Sequence, residues 1–220
     1  MASWQKYAAE AYGTFVLVMI GTGAIITAGI TGGGVVEISF AFGLALVAAL
    51  YTVGRVSGGH FNPAVSLGAF LDKRISLNDM LFYWVSQVIG AVLASAALAF
   101  IVSKDAVAAT ITQVNETYVE PLGGFVGEAL LTAVFVMAIL VLSKRASHTK
   151  LLGIGLTLTA VHLVGIGFTG ASVNPARSSP YRLRCKIVSS SSTRRTPWPV
   201  AAPPASGVRF KSAAPEVAKG

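Results

Sequence analysis

Long apolar windows alternate with short polar segments along most of the chain. Five windows approach or exceed the roughly 20 helical residues that cross the apolar core of a bilayer. They comprise residues 7–29, 38–54, 80–102, 122–142 and 151–168. The first window contains Glu10 and is longer than the core of a signal peptide, so we interpret it as a spanning helix. The pattern predicts an all-α membrane protein with five recognisable spanning helices.

The basic residues of the connecting segments predict the orientation of these helices. Lysine and arginine in short loops tend to remain on the cytoplasmic side. The connecting segments on one side of the predicted membrane contain Lys6, Lys73, Arg74, Lys144, Arg145 and Lys150. Those on the other side contain Lys104. We therefore expect a multi-pass protein of the plasma membrane with a cytoplasmic N-terminus.

The composition is typical of a membrane protein, and the distribution of charge argues against a nucleic-acid-binding protein. The chain is 54% hydrophobic and 12% charged, unlike an ordinary soluble domain. Its net charge of +8 suggests a nucleic-acid partner, but residues 1–180 hold nine Lys/Arg and eight Asp/Glu. Residues 181–220 hold eight Lys/Arg and one Asp/Glu. The excess charge belongs to the last forty residues, so we expect no nucleic-acid partner for the apolar part.

An internal repeat links the two halves of the apolar part. The stretch "GGHFNPAVS" at 58–66 has a counterpart in "FTGASVNPARSSP" at 168–180, and both contain Gly-x-x-x-Asn-Pro-Ala. Each half also begins with a helix that carries one acidic residue, Glu10 or Glu128. We predict a domain over 1–180, with a first repeat at about 5–103 and an incomplete second repeat at about 122–180. Three spans per half would invert the second repeat relative to the first, but the sixth span is absent from this sequence.

The two Asn-Pro-Ala triplets predict two helix starts. Asn is a strong N-cap, and Pro is tolerated at the first helical position because its missing N–H would be unpaired there. About ten residues follow Pro63 before the next polar segment, which is enough for half a bilayer. Such a re-entrant half-helix requires a protein-lined or water-filled site. Two positive helix starts that meet at the midplane would repel cations, while the Asn62 and Asn174 amides could donate to a neutral oxygen.

The combined motifs resemble those of the aquaporins, the major intrinsic protein family of water and glycerol channels. The resemblance covers about residues 5–178 and is closest to the water-selective, bacterial-type members. The paired triplets carry it, together with "AFGLA" at 41–45 and the arginine after the second triplet. The residues expected at the centre of the pore are Asn62, Pro63, Ala64, Asn174, Pro175 and Ala176.

The resemblance also implies a selectivity constriction formed by Phe42, His162, Ala171 and Arg177. Glycerol-conducting relatives typically have glycine in place of this histidine and a larger aromatic residue in place of Phe42, so water is the favoured permeant. An arginine at membrane depth is costly unless it has partners or faces water. Arg177 could pair with Glu128, but we favour an arginine that faces the pore and is held by loop carbonyls.

Three further residues are expected to support the pore. Glu10 and Glu128 would hold the loops that lead into the half-helices. His60 would line the inner vestibule, as the resemblance suggests, or bond to a carbonyl at a helix end. The resemblance further implies a homotetramer in the lipid bilayer, with water as the permeant and no cofactor. The Asn-Glu-Thr tripeptide at 115–117 matches a glycosylation sequon.

The predicted function is therefore a passive transmembrane water channel that excludes ions and protons. We expect the 220-residue form itself to be poorly folded or inactive as a channel. A facilitator for glycerol or another small neutral solute is the first alternative. A secondary transporter also uses inverted repeats but normally places ionisable coupling residues at the midplane, and beyond Arg177 none is evident. An enzyme is not expected, because the three histidines are scattered without ligand spacing and suggest neither a catalytic group nor a metal site.

Residues 181–220 change character abruptly. They contain five prolines, a run of four serines and most of the basic excess, and their composition is typical of a segment that forms no core. Three explanations are compatible with this composition: a disordered basic tail, a segment that binds anionic lipid or nucleic acid, and translation in a shifted frame. We favour the shifted frame, because it explains both the change in composition and the missing sixth span.

Overall fold

The computed structural model describes residues 3–146 and 149–178. The predictions made above for residues 181–220 lie outside the described residues.

Helices form the regular secondary structure of the described chain. Their bounds are Ser3–Thr31 (α1), Val35–Ser57 (α2), Pro63–Leu71 (α3), Leu77–Ile101 (α4), Lys104–Ala108 (α5), Pro121–Leu142 (α6) and Lys150–Thr169 (α7). Within the described ranges, five of them (α1, α2, α4, α6 and α7) are long and apolar enough to cross a membrane. The five predicted windows correspond to these five helices, which confirms the all-α membrane fold. The sequence did not predict α5.

Local sequence explains where several helices begin and end. Asn62 caps α3, since its side chain accepts from Ala64 N and Pro63 occupies the first turn. The Ser76 side chain caps α4 in the same way by accepting from Asp79 N. At the other end, α2 and α7 both stop at a glycine in the left-handed conformation, Gly58 with φ 96° and Gly170 with φ 79°. In both repeats, a left-handed glycine therefore ends the helix and begins the loop.

The packing order of the helices places the two loops next to each other. Helix α1 packs against α2 and α4, and α2 packs against α7, which joins the two halves. Helix α6 packs against α7 and α3. The main core cluster lies between α1, α2 and α7 and includes Phe61 and Val173 from the two loops. The Asn-Pro-Ala segments consequently meet inside the helix assembly.

Candidate functional site

The loop before α3 is held by a buried carboxylate on α1. Both oxygens of Glu10 accept hydrogen bonds from the loop: Oε1 from Ser57 Oγ (2.6 Å) and His60 N (2.9 Å), and Oε2 from Phe61 N (2.6 Å). Gln87 Nε2 on α4 is a fourth donor, at 2.7 Å. A buried charge is tolerated only when it is well paired or hydrogen-bonded, and these four donors meet that condition. Glu10 therefore fixes the loop that leads to Asn62.

The loop after α7 is built in the same manner around Glu128 on α6. Oε1 accepts from Thr169 Oγ1 (2.5 Å) and Ser172 N (2.9 Å), and Oε2 accepts from Val173 N (2.9 Å). The donors occupy the same positions relative to Asn174 that Ser57, His60 and Phe61 occupy relative to Asn62. The repeat seen in the sequence is thus a repeat of hydrogen bonds.

The two asparagines bind each other's loops. Asn62 Nδ2 donates to Val173 O at 2.7 Å, and Asn174 Nδ2 donates to Phe61 O at 3.0 Å. Each Oδ1 accepts from a backbone N–H in its own half, Ala64 N or Ala176 N. An amide has two donor hydrogens, so one hydrogen on each asparagine is left for a further acceptor.

Backbone strain is concentrated in these loops. Phe61 (φ 51°), Ala171 (φ 44°) and Val173 (φ 40°) all adopt positive φ without being glycines. Such conformations cost about 1–3 kcal/mol each and persist where the surroundings hold them. The bonds of Phe61 N to Glu10 and of Val173 N to Glu128 supply that restraint. In this conformation, the carbonyls of Phe61 and Val173 point toward the asparagine of the opposite loop.

A chain of contacts connects the four residues predicted for the constriction. The rings of Phe42 and His162 stack with centroids 4.3 Å apart. Arg177 Cζ lies 4.4 Å from the centroid of Phe42, within the range of a cation–π contact. Arg177 Nη1 also donates to Ala171 O (2.7 Å) and Gly170 O (3.3 Å). The guanidinium thus bonds to loop carbonyls, while the Glu128 carboxylate accepts from Thr169, Ser172 and Val173.

The hydrogen bonding of His162 assigns its tautomer. Nδ1 lies 2.9 Å from Leu158 O, and a carbonyl can only accept, so Nδ1 carries the proton. In the neutral ring, Nε2 is then an acceptor. Nε2 is buried and has no hydrogen-bond partner among the residues that the structure describes. His162 can therefore offer an acceptor to a solute.

A small cavity runs between the two loops. The predicted residues that line it are Phe42, His60, Asn62, His162, Asn174 and Arg177. Ala171 is fully buried and contributes its carbonyl to Arg177. His60 Nδ1 lies 3.1 Å from Ser66 Oγ, so its partner is a side-chain hydroxyl rather than the helix-end carbonyl that we considered.

Sequence reasoning missed two groups of residues at the site. Apolar side chains complete the cavity wall, namely Leu17, Leu46, Phe135, Leu158 and Val173. Helix α4 also contributes Tyr83, which donates to Ser57 O (2.6 Å), and Trp84, which donates to Pro63 O (3.0 Å). A tyrosine and a tryptophan in an apolar window are weak signals, because they are equally typical of a lipid-facing surface.

Two converging half-loops with reciprocal asparagines can be compared directly with known proteins. A family model described as "Major intrinsic protein" matches residues 1–189. The chain belongs to the major intrinsic protein family. Members of this family are membrane channels rather than enzymes, which agrees with the helices and the cavity described above.

The relatives within the family carry two kinds of name. The chain is 41% identical over 180 residues to "Glycerol uptake facilitator protein-like 6" of Lactiplantibacillus plantarum, with 79% of this chain and 81% of that protein covered. It is 40% identical over 190 residues to "Aquaporin Z" of Photorhabdus laumondii, with 80% and 82% covered. Its fold is similar to that of the aquaglyceroporin from Plasmodium falciparum, with TM-score 0.77, 26% identity, and 84% of this chain and 82% of that chain covered.

Proposed function

We propose that the channel formed by this chain is a passive water pore that excludes ions and protons. The proposed pore centre consists of Asn62, Pro63, Ala64, Asn174, Pro175 and Ala176. The proposed constriction consists of Phe42, His162, Ala171 and Arg177. The observation that carries the proposal is the contact of Phe42 with both His162 and Arg177 beside the paired asparagines.

The polar groups along the cavity suit a small molecule that both donates and accepts hydrogen bonds. The free amide hydrogens of Asn62 and Asn174 are donors, and Nε2 of His162 is an acceptor. A water oxygen that accepts from both amides has no lone pair left for a neighbouring water, so it can donate to its neighbours but cannot accept from them, which interrupts a chain of proton transfers. A water molecule can accept from the amides and donate to the imidazole, so the cavity needs no further polar group to bind it.

Charge and size support the exclusion of other solutes. The guanidinium of Arg177 and the two helix starts at Pro63 and Pro175 place positive charge along the path, which disfavours cations and hydronium. The stacked rings of Phe42 and His162 occupy the space that a three-carbon polyol would need. The path is therefore suited to a single file of water.

A glycerol pore is the second candidate, and the names of two similar proteins support it beside those named as aquaporins. One similar protein is named as a glycerol uptake facilitator, and the similar solved structure is an aquaglyceroporin. The two candidates differ in the permeability ratio of glycerol to water rather than in fold. The residues to vary are Phe42 and His162.

The test is stopped-flow light scattering of proteoliposomes that contain the purified protein. The 220-residue chain is measured beside a version in which an apolar sixth helix follows residue 178. A water pore shrinks rapidly in an impermeant osmolyte and admits little glycerol. Equal water and glycerol permeabilities would refute the proposed selectivity, and a proton leak measured with an internal pH dye would refute the proposed exclusion mechanism.

A double substitution provides the decisive variant. We predict that Phe42→Trp with His162→Gly admits glycerol, because it removes the imidazole and reshapes the apolar wall. Glycerol uptake should increase roughly tenfold or more if about 1.4 kcal/mol of barrier is removed. Leu163→Gly, at an exposed position next to His162, controls for the loss of helix stability. Unchanged glycerol uptake in a well-expressed double variant would place the constriction elsewhere.

The setting of the pore is part of the proposal. We place the protein in the plasma membrane as a homotetramer, with residues 1–180 as the channel domain and a cytoplasmic N-terminus. The salt bridges Arg74–Asp72 (2.7 Å) and Lys144–Asp72 (3.0 Å) gather basic residues of two connecting segments at one end of the assembly, as this orientation requires. Protease accessibility of tags at residues 1 and 110 in sealed vesicles tests the orientation, and native mass spectrometry tests the tetramer.

A further inference from the structure

We propose that Asn115 is a positioning residue for the Arg177 guanidinium and thereby for solute selectivity. Asn115 lies in the loop at residues 109–120, which connects α5 to α6 and which we call the strap. The inference rests on the proposed function, because it assigns to the strap a role at the same constriction. Asn115 begins the tripeptide that matched a glycosylation sequon, but its side chain is engaged with α7.

Every polar group of Asn115 is used in the structure. Its backbone N donates to Phe168 O at 2.8 Å, and its side-chain Nδ2 donates to Gly167 O at 3.3 Å. Its Oδ1 accepts from Thr117 N at 3.3 Å. Gly167 and Phe168 lie in the last turn of α7, where carbonyls lack partners within the helix. Asn115 therefore binds the end of α7 from outside the helix.

The strap also contacts the turn that follows α7. Gly170 has φ 79°, and a Cβ added there would lie 3.2 Å from Thr112 Cα. Val114 lies against Gly124 of α6, where an added Cβ would lie 2.6 Å from its Cγ2. Because glycine at both places permits close approach, the strap is fixed against α6 and α7 at once. The position of Gly170 is thus determined by the strap on one side.

The same turn provides the carbonyls that hold the arginine. Arg177 Nη1 donates to Ala171 O and Gly170 O. Ala171 adopts φ 44°, a conformation that persists only under external restraint. Glu128 restrains the following residues through Ser172 N and Val173 N. The strap restrains the preceding ones, so the two carbonyls are fixed from both directions.

An isosteric substitution separates this role from simple loss of structure. Asn115→Asp preserves shape but replaces the amide donor with a carboxylate that is repelled by Gly167 O. We expect the turn at Gly170 to loosen and the guanidinium to move from its place beside Phe42. The ratio of glycerol to water permeability should increase roughly two- to tenfold, the factor that one neutral hydrogen bond is worth. Gln113→Glu, at an exposed position of the same strap, makes the same chemical change as a control.

The experiment measures both permeabilities by stopped flow, on the 220-residue chain and on the version with a sixth helix. A higher ratio in Asn115→Asp than in Gln113→Glu supports the inference. A proportional fall of both permeabilities would indicate a merely structural role and would overturn it, as would an unchanged ratio. Absence of water permeability in the unsubstituted proteins would instead refute the proposed function.

Hydrogen–deuterium exchange of the purified chain gives a readout that does not depend on conduction. Asn115→Asp should accelerate exchange in the segment 167–178 relative to Gln113→Glu. The corresponding segment of the first repeat, 58–66, forms no hydrogen bond with the strap in the described structure and should exchange at the same rate in both variants. Equal exchange of 167–178 in the two variants overturns the inference whether or not the channel conducts.

Discussion

At the scale of single residues, two glycines of α1 determine where the aromatic side chains of the site can lie. The Phe42 ring lies directly against Gly21, and the Phe61 ring lies directly against Gly13. A Cβ at either glycine would overlap the ring. The proposed constriction therefore depends on Gly21 of α1, which has no side chain and does not line the cavity.

This dependence gives a prediction for Gly21→Ala. The added methyl group should displace the Phe42 ring from α1 toward His162 and Arg177, and water permeability per channel should fall. The measurement is stopped-flow shrinkage normalised to the amount of reconstituted protein. Gly29→Ala is the matched control on the same helix, because an added Cβ there meets nothing within 4 Å. Equal permeability of the two variants would show that the position of Phe42 does not limit flow.

At the scale of helices, the backbones of the two halves approach closely where α2 crosses α7. A Cβ at Gly43 would lie 2.7 Å from Gly155 O, and a Cβ at Gly155 would lie 2.7 Å from Gly43 O. Small residues at such crossings let backbones approach closely and are typical of helix contacts in membranes. Since α2 carries Phe42 and α7 carries His162, this crossing also sets the spacing of the stacked rings.

We predict that Gly43→Ala or Gly155→Ala separates α2 from α7. Each substitution should destabilise the fold by about 1–3 kcal/mol, the usual cost of overpacking. Thermal unfolding in detergent measures the effect. Gly167→Ala, on the exposed side of α7 with nothing within 4 Å of an added Cβ, should melt near the unsubstituted protein. A melting temperature for Gly43→Ala as high as that of Gly167→Ala would mean that the crossing is not tightly packed in detergent.

An ionic cluster joins the end of α3 to the end of α6. Asp72 bonds to Lys144 and Arg74, and these two bonds lower the pKa of its carboxyl. Arg74 also donates to Leu140 O and Ser143 Oγ, both at 2.6 Å. A carboxyl with a lowered folded pKa stabilises the fold above its unfolded pKa and loses that contribution as pH falls through the folded value. The cluster should therefore tie α3 to α6 at neutral pH.

We predict that Asp72→Asn lowers the melting temperature at pH 7 and has a smaller effect as the pH falls below about 4, because the carboxyl of the unfolded chain becomes protonated there and that of the folded chain at a still lower pH. Raising the salt concentration should also reduce the difference, since the cluster is solvent-exposed. Asp105→Asn, at an exposed position of α5, is the control. A melting difference that persists unchanged at low pH would show that the effect does not come from the charge of Asp72.

The helices and the paired loops could be predicted because both depend on local properties of the sequence. Window length predicts a span, and Asn followed by Pro predicts a helix start, without knowledge of any neighbour. The contacts of Tyr83 and Trp84 with the loop before α3, and of Asn115 with α7, depend on how elements pack in three dimensions. Helix α5 was missed because five residues are too short to show a helical period.

At the scale of the whole molecule, the two repeats differ in how completely their first helix is covered. In the first repeat, Gly90 of α4 lies against the backbone of Ala11 and Phe15 on α1. The corresponding positions on α6, by the alignment of Glu10 with Glu128, are Ala129 and Ala133, and both are exposed. Of the most apolar stretch of each helix, 44% is buried in α1 and 6% in α6. Within the described structure, α6 has no counterpart of α4 against it.

This asymmetry predicts the effect of adding a helix. Replacing residues 179–220 with the remainder of an apolar half-helix and an apolar spanning helix should cover the Ala129–Ala133 face of α6, as α4 covers α1. We expect higher yield, a discrete tetramer and greater water flux than for the 220-residue chain. A second version, with Leu in place of the small residue at the crossing equivalent to Gly90, should lose these gains, because close approach to α6 would be blocked. If the 220-residue chain matches the first version in yield, oligomer size and flux, the exposed face of α6 is stable against lipid alone. Residues 179–220 would then have a role that a shifted frame does not explain.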